Sequence, residues 1–169
     1  MKRRTCWAIG LIILLCGVFT FLLLIENVAL AQNNRLTKEE ARQCAKLCVE
    51  QAVLADCQIE TDVDPNEACA ERGERGGAMV IPDKRLSAEM LHKTEKAVTP
   101  LGQLWLRKWT TVVESKATPK EKLRVMRINI EDKVRPMPLF LLGIRRTGKE
   151  MELELVVYGK DSEPLQMCS

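Results

Sequence analysis

Thr99-Pro100-Leu101-Gly102-Gln103-Leu104-Trp105-Leu106-Arg107-Lys108-Trp109-Thr110-Thr111-Val112-Val113 is the stretch that decides the fold. Leu101, Leu104, Trp105, Trp109, Val112 and Val113 recur at three- and four-residue spacing, which predicts one apolar face of a helix. Arg107 and Lys108 fall toward the other side. Thr99-Pro100 supplies a start with proline in the first turn, and Thr118-Pro119 closes the segment. Trp105 and Trp109 are then core residues. If the helix face were open, they would be anchors for a partner.

Downstream the period changes to two. Met126, Ile128 and Ile130 alternate with Arg127, Asn129 and Glu131, as in a half-buried strand. Pro136 and Pro138 are expected to break it. Leu139 to Arg146 and Glu150 to Tyr158 predict a hairpin across Thr147-Gly148. Pairing outward from that turn sets Ile144 against Met151, Leu142 against Leu153 and Phe140 against Leu155. The same register puts Arg145 opposite Glu150 on the other face.

Upstream, Thr37 and Glu40 form a capping box before Ala41, Cys44, Ala45, Cys48, Ala52 and Ala55. A helix to about Ala55 with a narrow stripe of small residues follows. Asp64-Pro65 opens a second short helix that Gly73 ends, and residues 71–78 look like a flexible linker. Ser87 caps a helix of roughly Ala88 to Ala97. The expected fold class is α+β: an N-terminal disulfide-stapled helical hairpin, then helices packed on a three-stranded antiparallel sheet.

The N-terminus speaks to compartment. Lys2, Arg3 and Arg4 precede Trp7 to Ile25, nineteen residues without a charge, and Val28-Ala29-Leu30-Ala31 ends in small residues. This is the pattern of a secretory signal peptide cleaved after Ala31. Residues 7–25 are also long enough to span a bilayer as an uncleaved anchor, which would give membrane contact. The chain therefore divides into residues 1–31, signal peptide or anchor; 32–77, a Cys-rich acidic helical lobe; and 78–169, a helix plus antiparallel sheet domain. Residues 1–31 hold +2 of the chain's formal +3, which leaves +1 on the remainder. Residues 32–79 carry a net −4 and residues 80–169 a net +5, an asymmetry that hints at two functional faces.

Five cysteines lie beyond residue 31: Cys44, Cys48, Cys57, Cys69 and Cys168. In an exported chain their first use is disulfides, and the simplest nesting is Cys44–Cys69 with Cys48–Cys57. The other two pairings of these four stay open. Cys168 is a free thiol, a link to a second copy, or a tie from the tail to the domain. Spacings of 3, 8 and 11 intervening residues match no common zinc or iron–sulfur pattern, so neither metal nor cofactor is expected.

Several chemistries lack their residues. His92 is the single histidine and sits on an expected surface helix. No Gly-x-Ser-x-Gly elbow, Walker loop, Gly-x-Gly-x-x-Gly turn or His-Glu-x-x-His helix occurs. Arg124, Arg127, Arg145 and Arg146 form a candidate basic patch for an acidic partner or lipid head groups. Aromatics do not interleave with it, which argues against nucleic acid. The sequence thus points to a small exported, non-catalytic binding or accessory protein: a subunit, assembly factor or inhibitor in an oxidising compartment such as the periplasm. Its partner is another protein. The alternative is a thiol–disulfide or electron-transfer factor that uses Cys44 and Cys48.

Overall fold

The computed structural model describes residues 35–168 apart from 54, 56, 114, 131 and 148–151. The expected signal peptide or anchor lies outside the described residues. Residues 36–169 form one compact unit. Among the described residues, two helices, α1 (Lys38–Ala52) and α2 (Ala88–Lys93), accompany nine strands. These are β1 (Cys69–Gly73), β2 (Gly76–Pro82), β3 (Thr99–Arg107), β4 (Val112–Val113), β5 (Lys116–Ala117), β6 (Arg124–Ile130), β7 (Lys133–Arg146), β8 (Leu153–Tyr158) and β9 (Pro164–Cys168). Seven strands make one antiparallel sheet in the order β1-β2-β3-β7-β8-β9, with β6 also on β7. The expected helical hairpin on a three-stranded sheet is therefore wrong, since the protein is mostly β.

The main correction falls on Thr99–Val113. It is not a helix: residues Thr99–Arg107 form β3, the central strand between β2 and β7. A strand buried on both faces carries apolar residues at odd and even positions, so its period of two vanishes. Leu104, Trp105 and Leu106 then mimic a helical cluster. Trp105 points to one face and is fully buried, whereas Leu106 is buried on the other. Gly102 has φ +143°, and a Cβ there would sit 2.3 Å from the Ile81 carbonyl oxygen. That conformation is open only to glycine and is the backbone of a bulge, where β3 shifts register between Pro100 and Gly102. Trp109 lies past the strand, 39% exposed. Its indole lies over Gly76, where a Cβ would meet Nε1 at 2.3 Å.

The other expectations fared unevenly. The Thr37–Glu40 capping box is present, and α1 ends at Ala52 rather than Ala55. Asp64-Pro65 opens only a single 3₁₀ turn, Pro65–Glu67. Residues 71–78 are no linker, because they hold the β1–β2 hairpin. Ser87 caps α2, which stops at Lys93. Pro136 and Pro138 do not break β7, whose 14 residues run through both. Spaced by two, they turn their missing N–H the same way, and β3 pairs with β7 only from Leu139 onward. The β7–β8 register is shifted by four residues: Ile144 faces Leu155 and Arg145 faces Glu154. An even shift keeps every side chain on its expected face, and Arg145 bonds Glu154 at 2.7 Å. Glu150, Met151 and Gly148 lie outside the described residues.

Helix α1 covers one face of the sheet. Its stripe of Ala41, Ala45, Cys48 and Ala52 is buried against Met79, Ile81, Trp105, Ile128, Met137 and Leu139. The opposite face gathers Leu104, Leu106, Phe140, Leu142, Val157 and Leu165. Asp83 straps the loop after α1 to the end of β2. Its carboxylate, fully buried, accepts from the Asp62 and Arg85 backbone N–H groups and from the Arg85 guanidinium at 2.8–3.0 Å. Burial pushes its pKa up, but the Arg85 bonds and the two backbone N–H groups outweigh that and hold it below the usual carboxylate range.

Gly102→Ala is expected to lower stability by roughly 3 kcal/mol in urea melts, through strain and the close carbonyl together. Asp83→Asn tests the strap. A carboxylate with a depressed folded pKa stabilises above its unfolded value and ceases to as pH falls through the folded one. The gap in stability between the wild type and Asp83→Asn is therefore full at pH 7 and shrinks steadily as pH falls below about 4.

Candidate functional site

The site begins with how β7 is shared. Leu139 pairs with Trp105 on one side and with Arg124 on the other. Strands β6 and β8 thus lie end to end along the same edge of β7, β8 ending opposite Leu141 and β6 beginning opposite Leu139. Two strand ends that meet there leave backbone groups without a ladder. Lys160 N–H donates to the Lys122 carbonyl at 2.9 Å. The Lys160 carbonyl accepts from the Gln58 amide and from Arg124 Nη2.

Arg124 is the hub. It is only 8% exposed, and its Nη2 also donates to Gln58 Oε1 at 2.8 Å. Its Nη1 lies 2.9 Å from Cys57 Sγ. The guanidinium is therefore fixed by three residues from two loops, with its sulfur contact toward open space. A groove of about 740 Å³ opens above it, lined by Ala55, Cys57, Gln58, Leu123, Arg124, Val125, Met126, Lys160 and Ser162. Val125 is 49% exposed at its lip. Among the described residues, β6 pairs with β7 alone, so its outer edge presents unpaired backbone beside the groove.

No family model, curated protein or solved structure matches the chain.

The basic residues do not converge. Arg124 is buried in the notch, while Arg127 is exposed on β6. Arg145 and Arg146 lie six and seven residues further along β7 from Leu139, roughly 20 Å away. Arg145 is matched by Glu154, and Arg146 donates to the Thr94 carbonyl at 3.1 Å. Trp105 is core, its indole N–H donating to Gln103 Oε1 at 3.1 Å. Trp109 is half-exposed at the β1–β2 turn.

The cysteines separate only in part. No disulfide joins any two of Cys44, Cys48, Cys57 and Cys69, so the stapled lobe is not formed. Cys44 and Cys48 lie together on α1, with Cys48 buried against the sheet, while Cys57 faces Arg124 and Cys69 is exposed on the edge strand. Burial, then the neighbouring Cys44, pushes the Cys48 thiol up to about 12. A thiol held protonated is a poor attacking group, which weakens the Cys44/Cys48 exchange reading. Cys168 is placed on β9 opposite Leu155, and its side chain lies outside the described residues.

Gln58, Val125, Lys160 and Ser162 carried no signal in the sequence. Arg124 did. It keeps step with Met126, Ile128 and Ile130, the inward face of β6, and a charge on an inward face marks a buried hub.

Arg124→Met is expected to lose about 2–3 kcal/mol in urea melts, because the Lys160 and Gln58 acceptors lose their donor inside the protein. Among the four described thiols, Cys69 is expected to alkylate first in the native state and Cys48 only after unfolding. Mass mapping of a timed iodoacetamide reaction checks the order.

Proposed function

We propose that this protein is an exported, non-catalytic binding protein whose groove at the start of β6 takes an extended segment of another protein. The observation that carries the reading is the pairing of an open groove with an immobilised guanidinium and an unpaired strand edge. An extended peptide has what these features take. Its backbone adds hydrogen bonds along β6, and its alternate side chains enter the groove. Its carbonyl or carboxylate oxygens find Arg124 at the floor. A donor fixed beforehand loses little freedom on binding, which favours affinity.

Export rests on residues 1–31, with their cationic start, apolar run and small residues before Gln32. Among the described residues, no helix is long and apolar enough to cross a membrane. Mass spectrometry of the protein from its native host is expected to find a chain beginning at Gln32. A full-length mass would replace the cleaved signal with an anchor.

A photo-crosslinking residue at Val125, placed in the native host, tests the groove. The expected result is one discrete adduct with another protein, missing when the same probe replaces Leu86, which is 41% exposed elsewhere. No adduct at Val125, or the same adducts at both positions, overturns the reading.

A further inference from the structure

We propose that the small cavity beneath α1 is a binding site for a soft monovalent metal ion, Cu(I), held by the sulfurs of Cys44, Cys48, Met79 and Met137. This site is separate from the groove and independent of it.

The cavity has a volume of about 80 Å³, well below the space a typical organic ligand occupies. It lies at the seam between α1 and the sheet. Cys44 and Cys48 are four apart on one helix and project from the same face. Met79 on β2 and Met137 on β7 line it from below, and Trp105 lies between their strands. Protein interiors are normally filled. Here the small side chains of α1 stand over two long, flexible thioethers, and Cys44, Cys48, Met79 and Met137 are among the residues that line the space that remains.

The donor set selects the metal. Thiolate and thioether sulfurs favour Cu(I), whereas Mg²⁺ and Ca²⁺ require oxygens. Zinc sites are built from thiolates, imidazoles and carboxylates. Among the described residues, no three His, Cys, Asp or Glu side chains gather to form one. Methionine's three rotatable bonds let the thioethers follow the ion.

Charge and protons balance. Cu⁺ with two thiols gives a Cu(SR)₂⁻ unit and two released protons, with no change in oxidation state. Arg72 and Arg107 line the same cavity with Glu71, a net of +1 against the complex's −1. The thioethers add coordination without charge. Because both thiols must give up protons, loading strengthens as pH rises.

The test uses the whole protein from its host, reduced and oxygen-free. It is titrated with Cu(I) against a coloured Cu(I) chelator while Trp fluorescence is followed. One equivalent is expected to bind and to quench the fluorescence. Cys44→Ser with Cys48→Ser should abolish binding, and Cys57→Ser with Cys69→Ser should leave it unchanged. Met79→Leu with Met137→Leu preserves core volume and should weaken binding at least tenfold. That pair decides the matter if the serine variant fails to fold. Absence of binding, binding that survives loss of Cys44 and Cys48 or follows Cys57 and Cys69, or an affinity indifferent to the methionines overturns the proposal.

Discussion

Strand β7 is the element on which the rest depends. Its 14 residues take β3 along one edge and both β8 and β6 along the other. Every other large feature is a consequence of that division. The sheet extends to β1 on one flank and to β9 on the other because β7 joins them. The notch exists because two strands share one edge and cannot meet without a gap. Arg124, Gln58 and the Lys160 carbonyl close that gap with hydrogen bonds where a ladder would have run. A buried cation among neutral acceptors needs hydrogen bonds to offset its burial, and the three contacts of Arg124 also fix its direction.

The second organising feature is the contrast between the two sheet faces. The face under α1 is closed by small helix residues, which let the helix approach closely. The large side chains come from the sheet, Trp105 above all. The seam is thus filled from the sheet side, by Ile81, Ile128 and Leu139 together with Met79 and Met137. The other face has a smaller buried cluster around Phe140.

Legibility in the sequence followed locality. The α1 start was readable because a capping box is four residues of self-contained chemistry. The β6 alternation was readable because one of its faces is wet. Strand β3 was not, since burial on both faces erases the alternation that marks a strand. Only Gly102 within an apparent helix hinted otherwise. The β7–β8 register was off by an even number because faces, not turn length, constrain it most. The cysteines misled for a different reason: their spacing says nothing about which way each sulfur points. Arg124 was legible in principle through its parity with Met126, yet its partners come from residues 57–58 and 160, far apart in the chain.

The pairings of β3 with β7 span 34 residues at Trp105–Leu139 and 45 at Thr99–Ile144, whereas those of β2 with β3 span 20 to 30 and those of β1 with β2 span 3 to 11. A chain made from its N-terminus therefore completes the β1–β3 meander before its central strand has a second partner. Until β7 emerges, the Trp105 edge is exposed and able to pair with whatever strand comes first. During synthesis the vulnerable period is thus set by the length of chain between β3 and β7, and a holding factor acting on nascent chains would have that interval in which to work.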